Sequence, residues 1–236
     1  MLILAIDTTS QAASIALINE ERLIGEYTSN AKMTHLQKLM PMVEELLNKC
    51  DLSIDDIQGI AVSEGPGSFT GIRIGVSAAR ALAQAQDIPV VCVPTLKAMA
   101  YNLPYYSGII CPILDARRQQ VYGSAYQWEN HDCREVIHPS AYFIEELLEK
   151  LREYEDIVFL GDGVLPYKEQ IVNVLGEKAN FAPSYNKYQK ASSVGQLGLE
   201  LFENEEQQAY YEVKPNYQRK SEAERNLEKK RQDEGK

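Results

Sequence analysis

The sequence predicts a two-lobed α/β protein in which each lobe is a mixed sheet flanked by helices. Three features predict it. Short apolar runs bounded by turn residues alternate with segments of helical period, as a mixed α/β chain requires. A strand that ends in Asp and leads into a hairpin occurs twice, at Asp7 and at Asp115. Between them, Leu103 and Pro104 with the Tyr-Tyr-Ser-Gly that follows interrupt regular structure and mark a junction. The lobes are therefore expected at 1–103 and 104–218, followed by a charged tail at 219–236.

Taken in order, residues 2–6 form an apolar run fit for a buried strand and 13–18 a second. Residues 22–28 make a third after the turn at Asn19, Glu20 and Glu21. From 34 to 50 the period changes. Leu36, Leu39, Met40, Val43, Leu46 and Leu47 recur at three and four residues, which makes an amphipathic helix with Thr34 as its cap. Ser53 and Asp56 precede a strand at 59–62; a glycine-rich turn, a helix at 71–85 and a buried strand at 89–93 follow. A helix begins at 95 and runs out near Pro104. In the second lobe strands are expected at 109–114, 121–127 and 134–137.

The segment from Ser63 to Ala83 looks like a phosphate loop and fails to be one. A P-loop places Lys after its last Gly, whereas Gly71 is followed by Ile72 and Arg73. The dinucleotide fingerprint also misses: Gly65 and Gly67 have the first spacing, but the third position is Thr70. Gly65-Pro66-Gly67 is turn chemistry, and Ser68 or Thr70 offers an oxygen to cap the next helix. Along that helix Gly71, Gly75, Ala79 and Ala83 leave one stripe almost without side chains, so another backbone can come close. Two readings fit the stripe: a helix lying tightly on its own sheet, and a helix–helix partner surface.

A formal charge of −10 argues against a chain that binds nucleic acid by itself, because phosphate binding depends on Lys and Arg. The cysteines at 50, 92, 111 and 133 have no Cys-x-x-Cys pair, so neither a zinc ribbon nor a disulfide framework is expected. The opening MLILAID has no basic region and is interrupted by Asp, unlike a signal peptide. No apolar run approaches the roughly 20 residues that span a bilayer, so a cytoplasmic protein is expected.

The paired strand-Asp-hairpins resemble the actin-like ATPase superfamily, also described as ribonuclease H-like. Within it, LAIDTTS at 4–10, GPGSFTGIRIG at 65–75, PTLKAMA at 94–100 and DARRQQVY at 115–122 resemble the TsaB (YeaZ) family, and VKPNYQRKSEAE at 213–224 resembles that family's C-terminal end. The resemblance implies a non-catalytic scaffold and activator. Its partner would be a catalytic paralogue, TsaD, that transfers a threonylcarbamoyl group to adenosine 37 of tRNAs reading ANN codons. It further implies a TsaE-like ATPase as a second partner, a homodimer when the chain is alone, and tRNA contact only through the complex. The resemblance requires no cofactor of this chain and admits ATP or ADP with magnesium at the junction with the partner.

TsaD carries a His-x-x-x-His metal pair. Here His35 has Leu39 and Ala31 one turn away on either side, so no metal site is expected, and His131 and His138 have no ligand partner at suitable spacing. Metalloprotease chemistry has no residues to run it. The nucleotide cleft is expected to be vestigial, built from Asp7, Thr8, Thr9, Asp115, Arg117 and Arg118. Small residues follow Asp7, but the long side chains after Asp115 fill the space phosphates need, unless the arginines themselves hold an anion. An independent ATPase or small-molecule kinase using Asp7 and Asp115 is the rival reading. Function is then expected on the surface, in a face made by Leu36, Leu39, Met40, Val43 and Leu47 with Gly71, Ile72, Gly75, Ala79 and Ala83; core packing is the alternative for Leu39, Val43 and Leu46. The tail, with Arg219-Lys220 and Lys229-Lys230-Arg231, reads as a solvated charged segment that could touch tRNA in a complex.

Overall fold

A computed structural model describes residues 1–30 and 35–218 and contains two five-stranded sheets. In the first half, β1 (Ile3–Asp7), β2 (Ala13–Ile18) and β3 (Leu23–Ser29) form an antiparallel meander. Helix α1 (His35–Lys49) leads to β4 (Gly59–Gly65), parallel to β1, and α2 (Phe69–Gln86) leads to β5 (Val90–Pro94), parallel to β4. Helix α3 (Thr95–Ala100) closes this half. The second half repeats the scheme with β6 (Ile109–Asp115), β7 (Gln120–Glu129), β8 (Asp132–Phe143), α4 (Ile144–Leu151), β9 (Ile157–Leu160), α5 (Val164–Leu175), β10 (Ala179–Phe181) and α6 (Ala191–Glu203). The strand orders are β3-β2-β1-β4-β5 and β8-β7-β6-β9-β10. The duplication glimpsed at the two Asp residues therefore extends through every strand. The proposed cap Thr34 and the tail at 219–236 lie outside the described residues.

Strands β1 and β2 are buried along their whole length because both faces of their sheet are covered. Leu4, Ile6, Ile15 and Leu17 pack with α1 and α2, while Ile3, Ala5, Ala16 and Ile18 pack with α6. That second contact corrects the expected lobe boundaries: α6 belongs by sequence to 104–218, yet Ala191, Val194 and Leu197 lie on the first sheet. Helix α3 reaches the other way, with Leu96 and Met99 packed among Ile110, Leu114, Tyr126 and Leu160 of the second sheet. The last helix of each half is thus shared across the junction, although each half also keeps a core of its own between its sheet and its other helices. Among the described residues, no helix is long and apolar enough to cross a membrane.

Candidate functional site

The ends of β1 and β6 face each other across a cleft of about 600 Å³, lined from the first lobe by Thr9, Ser10 and Ser68 and from the second by Asp115, Arg117 and Asp162. Its first-lobe wall is closed. Asp7, 1% exposed, accepts from Thr9 N (2.8 Å) and Thr9 Oγ1 (2.7 Å) on one oxygen and from Ser63 Oγ (2.5 Å) on the other. Both oxygens are engaged and turned away from solvent. Thr8 Oγ1 donates to the Gly71 carbonyl at 2.7 Å, and Ser68 N donates to the Thr9 carbonyl at 2.6 Å. The Ser68 N–H that a phosphate loop would aim at an anion is spent on the neighbouring loop. Ser68 is the cap of α2, its Oγ accepting from Gly71 N at 3.3 Å. His35 Nε2 donates to the Ser10 carbonyl at 2.6 Å and so ties the start of α1 to this rim.

The second-lobe wall is open and built differently. Asp115 is exposed; its N–H donates to Asp162 Oδ1 (2.9 Å) and its own Oδ1 accepts from Arg117 N (2.8 Å), a short side-chain-closed turn. Arg117, Arg118 and Gln119 follow with φ of 62°, 56° and 60°, three successive left-handed residues none of which is glycine. Such backbone costs on the order of 1 kcal/mol or more per residue and is kept only where the surroundings enforce it. Burial pushes the Asp162 carboxyl up, and the nearby Asp115 charge adds to the rise against the hydrogen bond from Asp115 N. Among the described residues no group of three or more His, Cys, Asp or Glu is placed to hold a metal ion. The magnesium of Mg-ATP, the ligand that this fold class implies, does not fit these residues: Asp7 is sealed in, and the exposed Asp115 stands beside two arginines, which suit an anion and not a cation.

Burial also pushes the Asp7 carboxyl up, against the opposing pull of the Ser63 and Thr9 donors. A raised value in the fold contributes stability that is present below the ordinary carboxylate range and lost as pH climbs through the raised value. Asp7→Asn keeps an acceptor for Thr9 and removes the titration. Its stability relative to wild type is expected to improve from acid to neutral pH in denaturant titrations; a difference that is flat or falls with pH would contradict this assignment.

The expected partner face is mostly not a surface. Leu39, Val43 and Leu47 are buried against the first sheet, as are Gly71, Ile72, Gly75, Ala79 and Ala83. A Cβ on Gly71 would stand 2.0 Å from the Thr8 carbonyl oxygen, and one on Gly75 would stand 2.5 Å from Thr8 Oγ1. The small-residue stripe therefore serves close approach to the chain's own β1 loop, which corrects the partner-surface expectation for these eight residues. Leu36 and Met40 remain exposed, at 74% and 45%. On α2, which packs against α1, Ile74, Ala78 and Leu82 form a half-buried row.

Sequence reasoning missed Asp162 and the loop Gly161-Asp162-Gly163, although the signal was present. The apolar run of β9 ends in Gly161 at φ 104°, just as β4 ends in Gly65 at φ 124°. It also missed residues 213–218, which return to the cleft from the far end of the chain and put Asn216, Tyr217 and Gln218 on its rim.

Two mixed sheets of matching strand order, with Asp-ended first strands facing across a cleft, define an actin-like ATPase fold. An inorganic polyphosphate/ATP-glucomannokinase from Arthrobacter shares this architecture at a TM-score of 0.50 and 11% identity, over 84% of this chain and 99% of that one. A family model described as "TsaD: tRNA N6-adenosine threonylcarbamoyltransferase" matches residues 22–227. The tRNA threonylcarbamoyladenosine biosynthesis protein TsaB of Bacillus subtilis is 38% identical over 95% of this chain and 96% of its own length. The structure of YeaZ from Pseudomonas aeruginosa superposes at a TM-score of 0.77 with 26% identity, over 92% of this chain and 99% of that one. The chain belongs to the TsaB (YeaZ) family of tRNA threonylcarbamoyladenosine biosynthesis proteins.

Proposed function

We propose that this chain is a non-catalytic subunit that holds and activates a TsaD-like paralogue in the cytoplasmic complex forming threonylcarbamoyladenosine on tRNA. The observation that carries this reading is Asp7: buried, with both oxygens engaged by protein donors, it does not line the cleft where a metal or a phosphate-bound water would sit. Asp115 keeps an open position, but the left-handed Arg117–Gln119 turn occupies the space beside it. A formal charge of −10 fits tRNA contact made by the partner. The exposed Leu36 and Met40 on α1, with the apolar row on α2, supply the pairing surface, used by a second copy when the chain is alone and by the paralogue in the complex. ATP or ADP with magnesium, and a TsaE-like ATPase, belong to the assembled complex.

The test is turnover of Mg-ATP by the purified chain, alone and with the paralogue. Hydrolysis by the chain alone at background level, with tRNA modification by the paralogue depending on its presence, is the expected result. Turnover by the chain alone that is lost in Asp7→Ala would replace this reading with an independent ATPase or kinase.

A further inference from the structure

Residues 208–218 form no helix or named strand, yet the segment is fastened at several points. Gln208 pairs with Val90 on the free edge of β5 through two backbone hydrogen bonds (2.9 and 3.1 Å), and Val213 is fully buried in the core between the first sheet and α1–α2. The chain then turns into the gap between the lobes. Asn216 N donates to the Glu64 carbonyl at 2.8 Å, and its side-chain amide donates to Glu64 Oε1 at 3.3 Å. The Asn216 carbonyl lies so close to Gly65 that a Cβ there would meet it at 2.5 Å. Tyr217 stacks on Phe69, the first residue of α2, with ring centroids 4.1 Å apart, and its hydroxyl accepts from Arg73 Nε at 2.8 Å. The Arg73 guanidinium in turn lies 4.2 Å from the Phe69 centroid. One residue later the segment reaches the other lobe, where the Gln218 amide donates to the Pro139 carbonyl on β8 at 3.4 Å.

Asn216 and Gln218 line two cavities at once. One is the cleft described above; the other, of about 550 Å³, lies between Glu64 and Lys97 of the first lobe and Glu135 and His138 of the second. The segment borders both, together with Pro66.

From these contacts we infer that Val213–Gln218 is an interlobe clasp. It fixes the opening of the cleft by joining β8 to the loop Glu64–Ser68, and it braces the first turn of α2 through the Tyr217–Phe69–Arg73 stack. Released, the clasp would free the head of α2. The lobes are also linked by α3 and α6, through buried apolar faces and through polar contacts such as Asn102 to the Asn186 and Tyr188 carbonyls and Ala191 N to Ser14 Oγ; beyond its buried anchor Val213, the clasp is a set of polar and aromatic contacts nearer the surface, the kind that opens at low cost in free energy. The inference rests on this chain's own contacts and does not depend on pairing with a paralogue.

Amide hydrogen exchange on the full chain tests it, comparing wild type with the double variant Asn216→Ala/Tyr217→Ala. Exchange is expected to quicken by about tenfold or more in two separate stretches, residues 64–73 and residues 137–142, while the central strands β1 and β6 keep their protection. Tyr211→Ala, on the same segment but outside the clasp, is expected to leave both stretches unchanged. Quickening confined to 213–218, or spread evenly over the whole chain, would overturn the clasp, as would quickening in the first lobe alone.

Discussion

Gly71→Val is expected to cost about 4 kcal/mol or more, enough to lower the melting temperature by roughly 10 °C and to send much of the expressed chain to the insoluble fraction. The size of the effect comes from what the new side chain meets. At Gly71 the obstacle is backbone, the Thr8 carbonyl at 2.0 Å from the first added carbon, with Thr8 held by its own hydrogen bond back to Gly71. No rotamer of valine avoids a clash made at Cβ, so either α2 lifts off β1 or the Asp7–Ser10 loop moves, and both are buried. Ala81→Val, exposed on the same helix, carries the same loss of helix propensity without the clash and is expected to stay within about 0.5 kcal/mol of wild type. Thermal unfolding of the two variants decides the matter. If Gly71→Val melted within a few degrees of wild type, the stripe would not be packed against its own sheet. Gly75 is less severe because it meets a side-chain hydroxyl, yet a leucine there would strain the fold before it touched any partner.

What was legible in the sequence and what was not follows from how each element is covered. The first-lobe strands and α2 were legible because apolar runs end at turn residues and the small-residue stripe repeats every four positions. Its partner was not, since a stripe records that something comes close and not what. Helix α6 left no clear trace: buried along one side by the first sheet and carrying Ala191, Val194, Gly195, Leu197 and Gly198, it lacks the polar-apolar contrast that announces a surface helix. The repeated Asp pointed to two strand ends that face one cleft, but part of the reason Asp7 is sealed is tertiary. Thr9 engages Asp7 locally, two residues on, whereas Ser63 reaches it only because β4 lies beside β1. An obstruction at Arg117–Gln119 was expected from side-chain size alone. The left-handed backbone of this turn is a feature that sequence could not show, because nothing in those residue types favours positive φ.

The lobes also read differently once their final helices are placed. A hinge between two independent bodies would let the cleft open widely, as in enzymes that close on a substrate. Here α3 and α6 are exchanged across the junction and their apolar faces are buried in the opposite sheet's core. Opening the lobes would expose those faces, which costs roughly 25 cal/mol for each Å² of apolar surface. Under the proposed scaffold role, the cost of opening the lobes and the sealed Asp7 direct attention to the outer helices.

Leu36→Glu combined with Met40→Glu is expected to weaken pairing with the TsaD-like paralogue at least about a hundredfold, equivalent to roughly 2.7 kcal/mol, while leaving the fold intact. Both side chains are large, apolar and exposed, one helical turn apart on α1, so in the free chain they contribute little to the core and their replacement by Glu stays in water. In a complex built on this face, the same two carboxylates would be carried into an apolar interface without counter-charges, where an unpaired ion costs several kcal/mol. Leu165→Glu on α5 is the matching control: 74% exposed, equally apolar, and on the other lobe. Titration calorimetry with purified paralogue, alongside melting curves for each variant, separates the outcomes. Pairing lost with melting temperature kept within about 2 °C supports the α1–α2 face. Undiminished affinity in the double variant would place the partner elsewhere on the molecule, and an equal loss in Leu165→Glu would show that added negative charge, not the face, is what the partner rejects.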